Sequence, residues 1–62
     1  MTPLMHAIVY NRQRIVAFLI EKADANVLTQ SSMGNTPLHF AYQLSNKVAR
    51  HRMVKYLMVR LQ

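Results

Sequence analysis

The sequence predicts an all-α fold, and three observations carry that prediction. The 62 residues include one glycine and two prolines, which is too little turn chemistry for the hairpins of a β protein. Apolar residues recur with the three-to-four-residue spacing of amphipathic helices. Thr2-Pro3-Leu4 recurs 34 residues later as Thr36-Pro37-Leu38, and a period of this size is typical of repeated helix pairs. We therefore expect two helix pairs joined by an extended loop.

Each Thr-Pro pair is expected to begin a helix. The threonine hydroxyl can accept a hydrogen bond from a first-turn backbone N–H, and proline at the first helical position gives up no donor that the helix needs. The first helix of each pair is therefore predicted over about 3–10 and 37–45. Asn11 should end the earlier one, because asparagine tolerates the left-handed conformation. The residues expected on the apolar faces are Leu4, Ala7, Ile8, Leu38, Ala41 and Tyr42.

The second helix of each pair is predicted from an apolar run, over about 13–22 and 48–61. Between the pairs, residues 27–35 are mostly polar and turn at Gly34-Asn35, which predicts an exposed, hairpin-like finger loop. The residues of the second helices that are expected to face inward are Ile15, Val16, Leu19, Ile20, Met53, Val54, Leu57, Met58 and Leu61.

The segment Thr36-Pro37-Leu38-His39-Phe40-Ala41 resembles the opening of an ankyrin repeat, Thr-Pro-Leu-His-x-Ala. The runs Ile15 to Ile20 and Met53 to Met58 are similar to the family's outer-helix block, and Ala23-Asp24-Ala25-Asn26 is similar to its closing segment with the glycine deleted. The resemblance implies an ankyrin-type helix-turn-helix solenoid fragment with repeats at 1–34 and 35–62. The residues that match the repeat-opening motif are Thr2, Pro3, Leu4, Thr36, Pro37, Leu38, His39 and Ala41.

The chain departs from the family pattern in several places. Met5-His6 stands where His-Leu is expected, so the helix-start histidine of the first repeat is lost or displaced. Tyr42 replaces a small residue where paired helices approach closely, which should widen their spacing or turn the side chain outward. Extra residues near Ser45 to Val48 lengthen the turn between the third and fourth helices, and Asn11 replaces the usual inter-helix glycine.

The residue types that catalysis needs are sparse. Glu21 and Asp24 are the only acids, and the sequence lacks cysteine and a glycine-rich phosphate loop. The three histidines have no metal-ligand spacing, and the resemblance implies that His39 bonds backbone and threonine to hold a turn. We therefore expect no enzyme, no cofactor and no metal site.

Positive charge is concentrated in the second half of the chain. Residues 35–62 contain no acid and five of the eight Lys and Arg residues, which we call the basic set: Lys47, Arg50, Arg52, Lys55 and Arg60. Three interpretations stay open: a solvated helix face, a patch for an acidic protein or structured RNA, and a basic amphipathic helix for an anionic membrane or a calmodulin-like groove.

The resemblance implies a protein-interaction module that presents finger tips and the exposed face of the inner helix, which is the first helix of each pair. Carried onto this chain, the candidate partner-binding residues are Val9, Tyr10, Ser32, Met33, Asn35, Gln43 and Leu44. Tyr10, Met33 and Leu44 are apolar at positions predicted to be exposed, which indicates either a contact patch or packing at an open edge. The alternative function is a basic element that binds nucleic acid or an anionic surface through the second repeat.

Size and composition suggest where such a module acts. Helix-pair repeats normally need at least three copies to bury a continuous core, so we expect the chain to stack on further repeats, on a copy of itself or within a larger assembly.

The longest apolar run, Ile15 to Ile20, is too short to span a bilayer, and a secretory signal is not expected. The expected location is intracellular, cytoplasmic or nuclear, and the expected partner is a protein, with an acidic surface as one candidate.

Overall fold

The computed structural model describes residues 1–61, and within them it has four α-helices and no strand. The helices are α1 (Pro3–Val9), α2 (Gln13–Glu21), α3 (Pro37–Tyr42) and α4 (Lys47–Arg60). The inner helix α1 packs against both α2 and α3, and α3 packs against α4. The prediction of an all-α fold built from two helix pairs is confirmed. The predicted second repeat includes Gln62, which lies outside the described residues.

The turn between α1 and α2 depends on Asn11. Its φ of 55° is left-handed, and its N–H donates to the Ile8 carbonyl at 2.9 Å. The Arg12 N–H donates to the Ala7 carbonyl at 2.8 Å. This pair of bonds is a Schellman motif, which usually has glycine at its left-handed position, so Asn11 does here what glycine does in most such turns.

Helix α3 ends at Tyr42, three residues before the predicted end at 45. The N–H groups of Gln43 and Leu44 donate to carbonyls three residues back, at 3.1 and 3.2 Å, which tightens and closes the helix. Asn46 then caps α4, its Oδ1 accepting the Ala49 N–H at 2.9 Å. The residues inserted relative to the first pair therefore form a short connection and an early start for α4.

The core draws on both pairs. Its buried apolar residues are Leu4, Met5, Ala7, Ile8, Val16, Ala41, Ala49, Met53 and Leu57. Leu19, Ile20, Leu38 and Val54 are half-buried against it. Met5, which the sequence pattern did not assign to the core, is fully buried.

Three residues predicted to face inward are exposed, and those predictions are wrong for Ile15, Met58 and Leu61. Successive helical residues are turned by about 100°, so Ile15 and Met58 point well away from their buried neighbours Val16 and Leu57. Leu61 follows the last helical residue. Tyr42 was predicted on an apolar face of α3 and is 56% exposed, so that prediction is wrong as well. Its outward placement is the one expected of a bulky residue at a small-residue position.

None of the helices within residues 1–61 combines the length and the apolar character needed to cross a membrane.

Candidate interaction surfaces

The finger loop is closed by Ser31. Its hydroxyl accepts the N–H groups of Met33 and Asn35, at 3.3 and 3.2 Å. Its own N–H donates to the Asn35 carbonyl at 2.7 Å, and its carbonyl accepts the Gly34 N–H at 2.9 Å. Gly34 has a φ of 82°, a left-handed value that a side chain would make unfavourable. The tip is therefore a hydrogen-bonded turn with a defined shape.

Met33 stands on this turn with 84% of its surface exposed, the most exposed of the large apolar residues within 1–61. Ser32 is exposed beside it, and Asn35 is half-buried at the base of the turn. Met33 was predicted from its place in the loop, whereas the role of Ser31 was not. The sequence did carry a signal for it, because serine at the start of a turn commonly caps the backbone two residues on.

The inner-helix candidates separate into exposed and half-buried residues. Val9, Tyr10 and Gln43 are exposed. Leu44 is half-buried against the core, and its carbonyl accepts a bond from Arg50 Nη1 at 3.1 Å. The prediction that Leu44 is exposed is wrong, because the early end of α3 turns this residue back onto the core.

Tyr10 lies in an open groove on the face of α1 away from the buried Leu4 and Ile8; we call it the edge groove. The rings of Tyr10 and His6 pack with centroids 4.6 Å apart. Ile15 and Leu19 of α2 line the groove from the other side, and its volume is about 660 Å³. Met33 does not line it, so Tyr10 and Met33 belong to two different surfaces.

His39 supports the start of α3. Its Nδ1 accepts the Thr36 N–H at 2.9 Å and lies 3.1 Å from the Thr36 hydroxyl. In α1 the corresponding residue is Met5, and the Thr2 hydroxyl accepts the Met5 N–H at 3.2 Å instead. His6 is exposed on Tyr10 and does not replace the missing histidine.

A second groove, the outer groove, lies between α2 and α4, with a volume of about 360 Å³. Buried Val16 and Met53 and half-buried Ala17 form its floor, and the exposed Arg14 and Arg52 lie at its rim. Gln13 and Tyr56 complete the lining.

The carboxyl-terminal ends of α2 and α4 are tied together by a polar cluster. The Tyr56 hydroxyl donates to Glu21 Oε2 at 2.6 Å, and Arg60 Nη2 lies 3.4 Å from the same oxygen. The Arg60 guanidinium also lies over the Tyr56 ring, 5.1 Å from its centroid. Partial burial, together with the bond to Glu21, raises the pKa of Tyr56 above its ordinary value.

The basic set is spread around α4 rather than gathered on one face. Arg60 pairs with Glu21, and Arg50 bonds the Leu44 carbonyl. Lys47 and Arg50 line a small pocket of about 200 Å³ with Tyr42, whereas Arg52 lines the outer groove. Lys55 is exposed and lines neither cavity.

Within residues 1–61, no group of three or more potential ligand side chains is close enough to hold a metal ion.

The family model described as ankyrin repeats (3 copies) matches residues 1–61. No match was found among curated proteins or among solved structures. The family match spans the finger, both helix pairs and both grooves.

Proposed function

The chain belongs to the ankyrin repeat family, and we therefore propose that it is a non-catalytic module that presents finger and inner-helix side chains to a protein partner. Ankyrin repeats are generally protein–protein interaction modules and are typically not catalytic. The proposed repeats are 1–34 and 35–62. The proposed contact residues are Val9, Tyr10, Ser32, Met33, Asn35 and Gln43. The proposed location is intracellular, cytoplasmic or nuclear, in keeping with the absence of cysteine.

The finger tip is the observation that supports this proposal most strongly. Met33 is 84% exposed, yet the turn that carries it is held by the Ser31 hydrogen bonds. An apolar side chain on a pre-organised turn gives up little conformational entropy when it is buried by a partner. Exposed, flexible methionine side chains also adapt well to protein surfaces.

A pull-down with the intact chain tests the finger proposal. Met33→Ala should weaken capture of the partner by about tenfold or more, as truncating a central interface residue commonly does. Met58→Ala is the matched control, because Met58 is also exposed but lies on α4. Equal capture by the two variants would contradict a finger-borne contact.

We also propose that the edge groove is covered by another helix pair, from further repeats, a copy of this chain or a larger assembly. Its lining by Tyr10, Ile15 and Leu19 is largely apolar, and burying exposed apolar side chains such as Tyr10 and Ile15 against another helix is favourable. The inner helices α1 and α3 already pack side by side, and a further inner helix could pack on the other face of α1 in the same way. Tyr10→Ala should then reduce association, and helix content should fall with it, because helix pairs with an uncovered edge are less stable.

Salt dependence separates these proposals from the nucleic-acid alternative. Binding to phosphates through five Lys and Arg would weaken steeply between low and physiological salt, whereas contacts through Met33 and Tyr10 would change little. The scattering of the basic set around α4 favours the protein-interaction proposal.

A further inference from the structure

The outer groove combines an apolar floor with a positively charged rim. Val16 and Met53 are 1% and 2% exposed, so they close the groove from below. Ala17 contributes only a methyl group where a larger side chain would fill the gap between the helices. The volume of about 360 Å³ lies within the range of ligand-binding pockets and is enough for one or two apolar side chains.

The two arginines at the rim have no carboxylate partner within residues 1–61. The sequence contains two acids, Glu21 and Asp24, and the only ion pair in that part of the chain joins Glu21 to Arg60. Asp24 lines a different pocket, with Arg60 and Ile20. Arg14 and Arg52 therefore bring two like charges from two helices to one groove, an arrangement that an anionic ligand would stabilise.

The two walls of the groove are linked at one end. Tyr56 and Arg60 of α4 both contact Glu21 of α2, which joins the two helices beyond the groove lining. These contacts are exposed and add little stability, so the recess itself depends on the buried Val16 and Met53 at its floor.

The chemistry favours a protein ligand over RNA or lipid. Guanidinium groups bind carboxylates through paired, charge-assisted hydrogen bonds, and the apolar floor would contribute only with a ligand that carries an apolar side chain. Single-stranded RNA is recognised through stacking of bases on aromatic rings, but this groove offers one ring, Tyr56, and Arg60 lies over one of its faces. A bilayer surface needs a protruding apolar face, whereas this apolar surface is recessed.

We propose that the outer groove binds an acidic peptide segment of a protein partner. One apolar side chain of that segment rests on Val16, Ala17 and Met53, and flanking carboxylates pair with Arg14 and Arg52. This site is separate from the finger and the edge groove, and it adds a second, charge-selective contact on the outer face of the helix pairs.

The test is a ¹⁵N NMR titration of the intact chain with a synthetic ten-residue peptide that has leucine at two central positions and glutamate elsewhere. The expected shifts are concentrated on Gln13, Arg14, Ala17, Arg52 and Met53. The same peptide with every glutamate replaced by glutamine should bind about tenfold more weakly, because it lacks the charges that pair with the arginines.

Arg14→Gln and Arg52→Gln should each weaken binding of the glutamate peptide about five- to tenfold. Lys47→Gln is the matched charge control, since Lys47 is on α4 but does not line this groove, and it should leave binding almost unchanged. Both arginines are exposed, so circular dichroism should show unchanged helix content. Met33→Ala should not alter the titration, so failure of the finger proposal would not be mistaken for failure of this one.

Four results would overturn the proposal. They are an absence of binding by the glutamate peptide, equal binding by the glutamine peptide, an equal loss with Lys47→Gln, and tighter binding to single-stranded RNA or to phosphatidylserine vesicles at the same residues.

Discussion

The two helix pairs begin with the same three residues, Thr-Pro-Leu, and hold their first turns in different ways. In α1 the third residue after threonine is Met5, which is fully buried, and Thr2 caps the turn through its hydroxyl. In α3 the same position is His39, which adds the second half of a capping box, its Nδ1 accepting the Thr36 N–H. The same Thr-Pro-Leu start therefore leads to two kinds of first turn. The first pair buries an apolar side chain there, and the second forms a side-chain hydrogen bond to the backbone.

The pairs also divide burial differently between their helices. In the first pair the inner helix supplies four buried apolar residues, and α2 adds Val16. In the second pair the inner helix is short and supplies Ala41 and Pro37, while the 14-residue α4 supplies Ala49, Met53 and Leu57. Lengthening the outer helix thus compensates for an inner helix that ends early.

Met5→Ala should have the largest effect, because it leaves a cavity at the most deeply buried helix start. Truncations of this kind cost about 2–5 kcal/mol of unfolding free energy. Thermal unfolding followed by circular dichroism at one fixed chain concentration measures the cost, since association contributes to stability. His6→Ala, at the exposed neighbour, should cost less than about 0.5 kcal/mol. A Met5 variant as stable as the His6 variant would mean that this helix start does not pack as described.

His39→Ala should cost about 1 kcal/mol, since it removes one hydrogen bond to the Thr36 N–H at a partly solvated site. The same unfolding measurement applies, with exposed His51→Ala as the matched control on α4. If His39→Ala lowered the unfolding free energy as much as Met5→Ala does, the proposed difference between a hydrogen-bonding residue and a buried core residue would be contradicted.

Two of the positions with left-handed backbone, Asn11 in the turn between α1 and α2 and Gly34 in the finger loop, are expected to respond to substitution with opposite signs. Gly34→Ala should destabilise by about 1 kcal/mol through backbone strain alone, because no atom lies within 4 Å of the site that a Cβ would occupy. Asn11→Gly should stabilise slightly, by a few tenths of a kcal/mol, because glycine adopts φ near 55° more readily. Destabilisation by Asn11→Gly would show that the asparagine side chain matters more than its backbone conformation.

The smallest effect on stability is expected at the hydrogen bond from Tyr56 of α4 to Glu21 of α2, and this effect depends on pH. The pKa of Tyr56 is raised from its usual 10.0, so the folded state holds the phenol proton more tightly than the unfolded state does. The stabilisation of the folded state that this pKa difference provides is fully present below pH 10. It is lost as the pH rises through the folded-state pKa. Tyr56→Phe should therefore lose less stability above pH 10 than the unchanged chain, in unfolding curves recorded across that range.

Local signals in the sequence were enough to predict the helix pairs. Thr-Pro marked both inner helices, and Asn11 marked a turn by its tolerance of positive φ. It was harder to predict which side of each outer helix faces the core. Ile15 and Met58 stand next to buried residues, and hydrophobicity alone does not say which of two apolar neighbours is buried. Leu44 was mispredicted for a related reason: its burial follows from the early end of α3, which depends on the connection to α4.

The surfaces were less predictable than the helices. Met33 could be identified as exposed because the finger is local, but the outer groove depends on the gap between α2 and α4. Arg14 and Arg52 are far apart in sequence, and their convergence requires the packing of two helix pairs. The scattering of the basic set likewise follows from which side of α4 is buried.

Sedimentation velocity of the intact chain at micromolar concentration, with circular dichroism of the same sample, tests most directly whether the open edge needs another helix pair to cover it. The expected result is a folded, self-associated species. Tyr10→Ala should shift any associated species toward monomer. A well-folded, cooperatively melting monomer at that concentration would contradict the proposal.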